Sequence, residues 1–137
     1  VIDRLQLELN LNPVYIWGAA GLAPGAPGDC SGKLYAILAS CGFPVQRVPV
    51  SYIARRQAGW CFPFIAYAEG KSLALVIMTT QAHRKHGHIG MLRTDVQWGK
   101  IAKMAHASSR LGFTQVVLAP GQPMYKYVDF LMQVRNE

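Results

Sequence analysis

Glycine and proline punctuate the chain from Ala20 to Gly28, and at Asp29 an unbroken helix-compatible run begins. Leu34, Ile37, Leu38 and Cys41 fall at i, i+3, i+4 and i+7, one face of a helix. Gly42 and Pro44 end the run. Asp29 suits an N-cap, which puts Cys30 at the first helical position. A thiol there meets the positive end of the helix dipole and free backbone N–H groups. Both favour the thiolate, which is the nucleophilic form. The position reads as exposed. The competing reading is a buried core thiol that opens a helix, since free cysteine is among the most buried residue types.

The rest of the chain is arranged around that helix. Ile2 to Leu11 carries an amphipathic helical pattern, although Leu5, Leu7, Leu9 and Leu11 also alternate as in a strand; helix is preferred, ended by Pro13. Val14 to Gly21 is turn-like, and Leu22 to Gly28 reads as a surface connection. Gly42 to Val50 is a loop with Gln46 and Arg47 exposed. Ser51 is placed to cap a short helix from Tyr52 to Gln57, stopped by Gly59. Trp60 to Ile65 is dense in aromatics and reads as packing or as a cleft wall. Strands are expected at Leu73 to Met78, His88 to Leu92, Ile101 to Ala107 and Phe113 to Leu118. A last one is expected within Tyr125 to Val134, centred on Tyr127 to Met132. Helices early and strands late give an α+β fold: a helix packed on a mainly antiparallel sheet of about five strands. A length of 137 residues fits one domain, 1–137.

Charge narrows the partners. Fourteen basic against seven acidic residues leave a net charge of +7, which favours an anionic partner such as nucleic acid, anionic lipid or bacterial cell wall. The basic residues are scattered and lack interleaved aromatics, which argues against nucleic acid. No apolar run is long enough to span a membrane. The chain has no signal-peptide pattern and no initiator Met, which suits a processed protein or part of a longer one. Cysteines stand at 30, 41 and 61 without a C-x-x-C spacing, so no zinc knuckle is expected. Cys41 and Cys61 read as reduced and buried. His83 and His86 read as solvated loop residues, and with no carboxylate nearby no metal site is expected around them; no cofactor is expected either.

His88 opens one expected strand and His106 lies near the end of the next. Adjacent antiparallel strands bring both rings to one end of the sheet, where the N-terminus of the Cys30 helix would complete the group. That is the nucleophile, base and orienter of a thiol hydrolase. Cys30 attacks a carbonyl, and His88 takes the thiol proton or forms an ion pair with the thiolate. His88 then protonates the leaving amine, while His106 holds its ring.

Four blocks in one order carry a family resemblance: Tyr15-Ile16-Trp17-Gly18, Asp29-Cys30-Ser31-Gly32, Gly87-His88-Ile89-Gly90 and Ala105-His106-Ala107-Ser108. Together they resemble the signatures of the NlpC family of bacterial cell-wall cysteine peptidases, over roughly residues 12 to 118. The resemblance implies a papain-like core and catalytic residues Cys30, His88 and His106. It implies a substrate cleft lined by Tyr15, Asp29 and Ser31, although a plain N-cap explains Asp29 equally well. It implies cleavage of peptidoglycan stem peptides, commonly between D-γ-glutamate and a diamino acid. The setting would be the cell envelope, periplasmic or secreted, or a virion, within a larger cell-wall, phage-tail or effector protein. A binding module that has lost turnover, or a thioester-forming acyltransferase, would keep the same fold. Three features depart from the family pattern. Glu69-Gly70-Lys71-Ser72-Leu73 stands where Pro-Gly-Asp-Leu is usual. Lys33 stands where an apolar residue is usual. The interval from His88 to His106 is long.

Overall fold

A computed structural model describes residues 2–54, 61–63, 74–78, 87–92 and 102–134. Helix α1 spans Ile2–Leu11, α2 spans Cys30–Ser40 and α3 spans Val50–Ala54. Strands β1 (Cys61–Pro63), β2 (Ala74–Met78), β3 (His88–Leu92), β4 (Ala102–Ser108), β5 (Gly112–Leu118) and β6 (Phe130–Val134) form one sheet. Its order is β1-β6-β2-β3-β4-β5, and every recorded pairing is antiparallel.

The sheet is covered on both faces. Leu75, Ile77, Ile89, Met91, Ala105 and Ala107 face a core shared with Leu34, Ile37 and Leu38 of α2 and Leu5 of α1. Val76, Met78, Leu92, Ala102, Met104 and Leu118 face the other side with Leu131 of β6, packed against Met124, Tyr127 and Val128. Successive strand side chains point to opposite faces, so a strand buried on both sides must be apolar at every position. That is the reason the run at β2 is continuous.

Each helix near the site ends for a local reason. In α1 the chain leaves the helix through Asn12, in the left-handed region at φ 48°, followed by Pro13. In α2, Gly42 takes φ 87°; its N–H reaches the Ala39 carbonyl and the Phe43 N–H reaches that of Leu38. This is a Schellman closure, which leaves Cys41 at the helix cap and exposed. The expected burial of Cys41 fails because the apolar face of the helix stops at Leu38. The side chain of Cys61 lies outside the described residues.

Lys33, the charged residue in an apolar position, is fully buried. Its Nζ donates to Glu8 Oε2 at 2.8 Å and to the Ala26 carbonyl at 3.1 Å. Glu8, buried in α1, also pairs with Arg4 and accepts from the Gly25 N–H. One ion pair therefore ties α1, α2 and the loop between them together.

Two expectations about elements need correction. The short third helix begins at Val50, one residue before Ser51, and the Pro49 carbonyl accepts from Tyr52 and Ile53; its expected continuation falls at residues 55–57, outside those described. Tyr125–Tyr127 is a single 3-10 turn, and the last strand starts only at Phe130. The expected antiparallel sheet of about five strands is present; among the described residues it counts six, with Cys61–Pro63 as a short edge paired with β6. A three-residue strand is too short to show periodicity. His83, His86 and the Glu69–Leu73 departure lie outside the described residues.

Candidate active site

The N-terminus of α2 is built by Asp29. Its Oδ1 accepts from the Gly32 N–H at 2.7 Å, a direct N-cap bond. Its Oδ2 accepts from the Gly18 N–H at 2.8 Å, which pins the Val14–Ala20 segment across the start of the helix. That crossing is close. A Cβ on Gly32 would lie 2.0 Å from the Ala19 carbonyl oxygen, so no other residue fits there without moving the backbone. The Arg47 guanidinium arrives from the loop after α2. Its Nη2 donates to Asp29 Oδ1 at 3.0 Å and Oδ2 at 3.3 Å, and its Nη1 donates to Ser31 Oγ at 2.6 Å. Both carboxylate oxygens are thus held by donors from within the protein.

Cys30 is the first residue of α2 and is only 8 % exposed, not open to solvent as its first-turn position suggested. Burial pushes its thiol above the ordinary range. A backbone hydrogen bond from Ile89 pulls it down, the Asp29 carboxylate pushes it up, and Ser31 N–H and Arg47 pull it down; the net direction is up. Loss of hydration at the thiol outweighs the N–H groups of the helix start. The Tyr15 hydroxyl is raised as well, by burial first and then by the neighbouring charges of Cys30 and Asp29.

Strand β3 meets this helix end. Ile89 supplies the backbone bond to the thiol, and Gly87 lines the same cleft as Cys30. Between them, His88 places Nε2 2.8 Å from Nδ1 of His106, with the rings edge to face at 88°. Pairing of β3 with β4 matches Met91 to Ala105 and Leu92 to Met104. Continued towards the start of β3, that register puts 88 and 106 diagonally on one face. Both histidines are buried. The two imidazoles share one hydrogen, so one ring donates and the other accepts.

A cleft of about 430 Å³ opens over this corner, lined by Trp17, Gly18, Asp29, Cys30, Ser31 and Arg47, with residues 48–51 and Gly87 closing the far side. The structure therefore brings Cys30, Asp29 and Ser31 to one cleft and joins His88 to His106, with Tyr15 against the shared core. Arg47 was read only as an exposed loop residue. The available signal was a lone cation between Val45 and Val48 in a proline-bounded loop, a place where a charge needs a partner. Among the described residues, no group of three metal-ligating side chains gathers.

No family model matches the chain, and no curated protein matches it. A solved structure from Staphylococcus aureus subsp. aureus Mu50, described as similar to a lipoprotein of the NLP/P60 family, is similar over 98 % of this chain. The TM-score is 0.58 and the identity 15 %. The chain spans 42 % of the length of that protein. At that identity the likeness is one of architecture: this chain has the α+β, papain-like fold found in that NLP/P60 protein.

Proposed function

We propose that this chain is a peptidoglycan hydrolase, a cysteine endopeptidase that cuts stem peptides at the D-γ-glutamyl–diamino acid bond. The observation that carries the reading is the meeting of α2 and β3. The thiol of Cys30 takes a hydrogen bond from Ile89, and the preceding residue of the same strand is an imidazole already bonded to a second one. The NLP/P60 likeness of fold supports the same reading.

With His88 Nε2 turned to His106, Nδ1 is the nitrogen assigned to the thiol. Burial raises the thiol, and His88 is the base that takes its proton, before or during attack. Sγ bonds to the scissile carbonyl carbon as its proton passes to His88. The Cys30 backbone N–H, unpaired by the helix at its first turn, faces the developing oxyanion. The C–N bond then breaks, the amine leaves with the proton from His88, and a thioester remains. Water, deprotonated by His88, attacks the thioester; the acid departs and the thiol is restored. His106 keeps the His88 ring in the required tautomer. Tyr15 and Ser31 border the acyl group, and Asp29 acts on it through Arg47 and the Gly18 turn. The work is placed outside the cytoplasm, at the cell envelope or on a virion.

The test is mass spectrometry of purified peptidoglycan digested with the protein and with Cys30→Ala. New amino termini on the diamino acid, absent with the variant, support the reading. Wall binding with no released peptide favours a module without turnover, and products carrying a non-water acceptor favour an acyltransferase.

A further inference from the structure

Glu8 is buried in α1, yet what it holds lies in the loop that leads to Cys30. Its Oε2 accepts from Lys33 Nζ at 2.8 Å, and the Gly25 N–H lies 3.3 Å from each carboxylate oxygen. Arg4, one turn back, donates to Oε1 and to the Leu22 carbonyl. Lys33 closes the group from the first turn of α2, just after Cys30, with Nζ also on the Ala26 carbonyl. Its stem lies against Gly28, where a Cβ would fall 2.7 Å from Lys33 Cδ and 2.9 Å from Cγ. Residues 26–28 are thereby clamped onto α2. That clamped stretch carries one wall of the cleft. The Gly28 N–H donates to the Val14 carbonyl, the Gly21 N–H to that of Pro27 and the Asp29 N–H to that of Ala19. Trp17 and Gly18, which lie within the segment those bonds hold, line the cleft. Among the described residues α1 supplies no side chain to that lining, so Glu8 reaches the thiol only through Lys33 and the loop.

We propose that Glu8 and Lys33 are positioning residues for Cys30: their buried pair sets the register of the first turn of α2 against the 14–21 wall, and with it the place of the thiol in the cleft. An apolar pair would join α1 to α2 as firmly, since replacing a buried ion pair by packed hydrophobic groups is often neutral for stability. It would not fix the same register. Apolar contacts are non-directional, whereas a charge-assisted hydrogen bond is short and directional. Lys33 makes two such bonds to partners on different segments, so helix and loop must both be in place at once. Stability and position therefore separate: the apolar replacement keeps the first and loses the second.

Two arms test it on Glu8→Leu combined with Lys33→Met, with thermal melts establishing that the protein is folded. The first needs no substrate. Cys30 is alkylated with iodoacetamide at neutral pH, followed by peptide mass spectrometry, with the exposed Cys41 of the same molecule as internal reference. The Cys30-to-Cys41 rate ratio should rise several-fold over the parent, because the wall that covers the buried thiol is no longer held. Leu118→Ala opens a cavity in the core on the other face of the sheet and controls for lost stability alone; its ratio should stay parental. Glu8→Gln keeps the shape of the side chain and should raise the ratio by less; it replaces the double variant if that one does not fold. The second arm rests on the proposed peptidase reaction. There kcat on a stem peptide should fall about tenfold or more in the double variant, since a slightly misplaced nucleophile reacts far more slowly. A ratio unchanged or lowered in the folded variant, or raised equally in Leu118→Ala, overturns the positioning role whatever the peptide arm gives. A raised ratio with parental kcat overturns it as well. A raised ratio in a protein whose parent cuts no stem peptide supports the positioning role and sinks the peptidase reading instead.

Discussion

Cys30 gathers the chemistry of the site in one buried atom. Its neighbours pull in opposite directions, with burial and Asp29 against two backbone N–H groups and Arg47, and burial prevails. A thiol whose folded pKa is raised favours folding while protonated. That contribution is whole below the unfolded thiol value of about 8.5 and fades as pH climbs through the higher folded value. Urea melts at rising pH should therefore show a stability loss above about pH 8.5 that Cys30→Ala lacks. Parallel curves would mean that the thiol is not perturbed by its surroundings. Cys30→Ala should also end wall-peptide cleavage while the protein stays folded, at a packing cost on the order of 1 kcal/mol, since only one sulfur is removed. The two histidines should differ in turnover assays. His88→Ala should remove nearly all activity, because in the proposed mechanism that ring moves the proton. His106→Asn or His106→Gln should keep measurable activity, because an amide can still orient the ring, and His106→Ala should lose more. Equal loss in all the His106 variants would show that His106 does more than orient.

At the scale of the element, α2 is held at its start from outside and at its flank by a buried ion pair. Changing Lys33 alone leaves the buried Glu8 with only Arg4 and the Gly25 N–H, and changing Glu8 alone leaves a buried ammonium with only the Ala26 carbonyl. Lys33→Met should therefore cost about 3 kcal/mol in chemical denaturation, and Glu8→Leu combined with Lys33→Met should recover much of it. If the double variant is no more stable than the single one, the pair is not what joins α1 to α2. Gly32→Ala should cost on the order of 1–3 kcal/mol by driving a methyl against the Ala19 carbonyl, and should disturb the cleft with it. Much of this element was legible beforehand. The spacing of Leu34, Ile37 and Leu38, the cap at Asp29 and the closure at Gly42 are local signals, and local signals survive in a sequence. The Lys33–Glu8 pair was not legible, because it joins residues 25 positions apart and depends on how two helices lie. Arg47 escaped for the same reason: its meaning lies in Asp29 and Ser31, across a loop with no period. The edge strand at Cys61–Pro63 exists only through its pairing with β6. His88 and His106 were placed together from chain order alone, because consecutive antiparallel strands leave few other arrangements. The raised thiol was missed because burial is a property of the finished packing.

Over the whole molecule, the ion pairs inside the fold leave the excess of positive charge to the surface. Glu8 and Asp29 are both buried and each is matched by a base, so neither offsets the outer field. Lys103, Arg110 and Lys126 are exposed, on β4, on the turn after it and on the 3-10 turn. With a net charge of +7, attraction to an anionic wall should be general rather than confined to the cleft. Such attraction is screened over about 10 Å at 0.1 M salt and about 3 Å at 1 M. Retention on purified peptidoglycan should therefore fall steadily as sodium chloride rises from low concentration towards 1 M. It should fall equally for the parent and for Cys30→Ala, because the field does not depend on the thiol. The cut itself should respond differently. A small soluble stem peptide, the proposed substrate, would be held at short range inside the cleft, where salt screens less, so its KM should rise less over the same range than wall retention falls. Wall binding that ignores salt would show that the charge is incidental to the partner. A KM that rises in step with the loss of binding would place the recognition on the open surface rather than in the cleft.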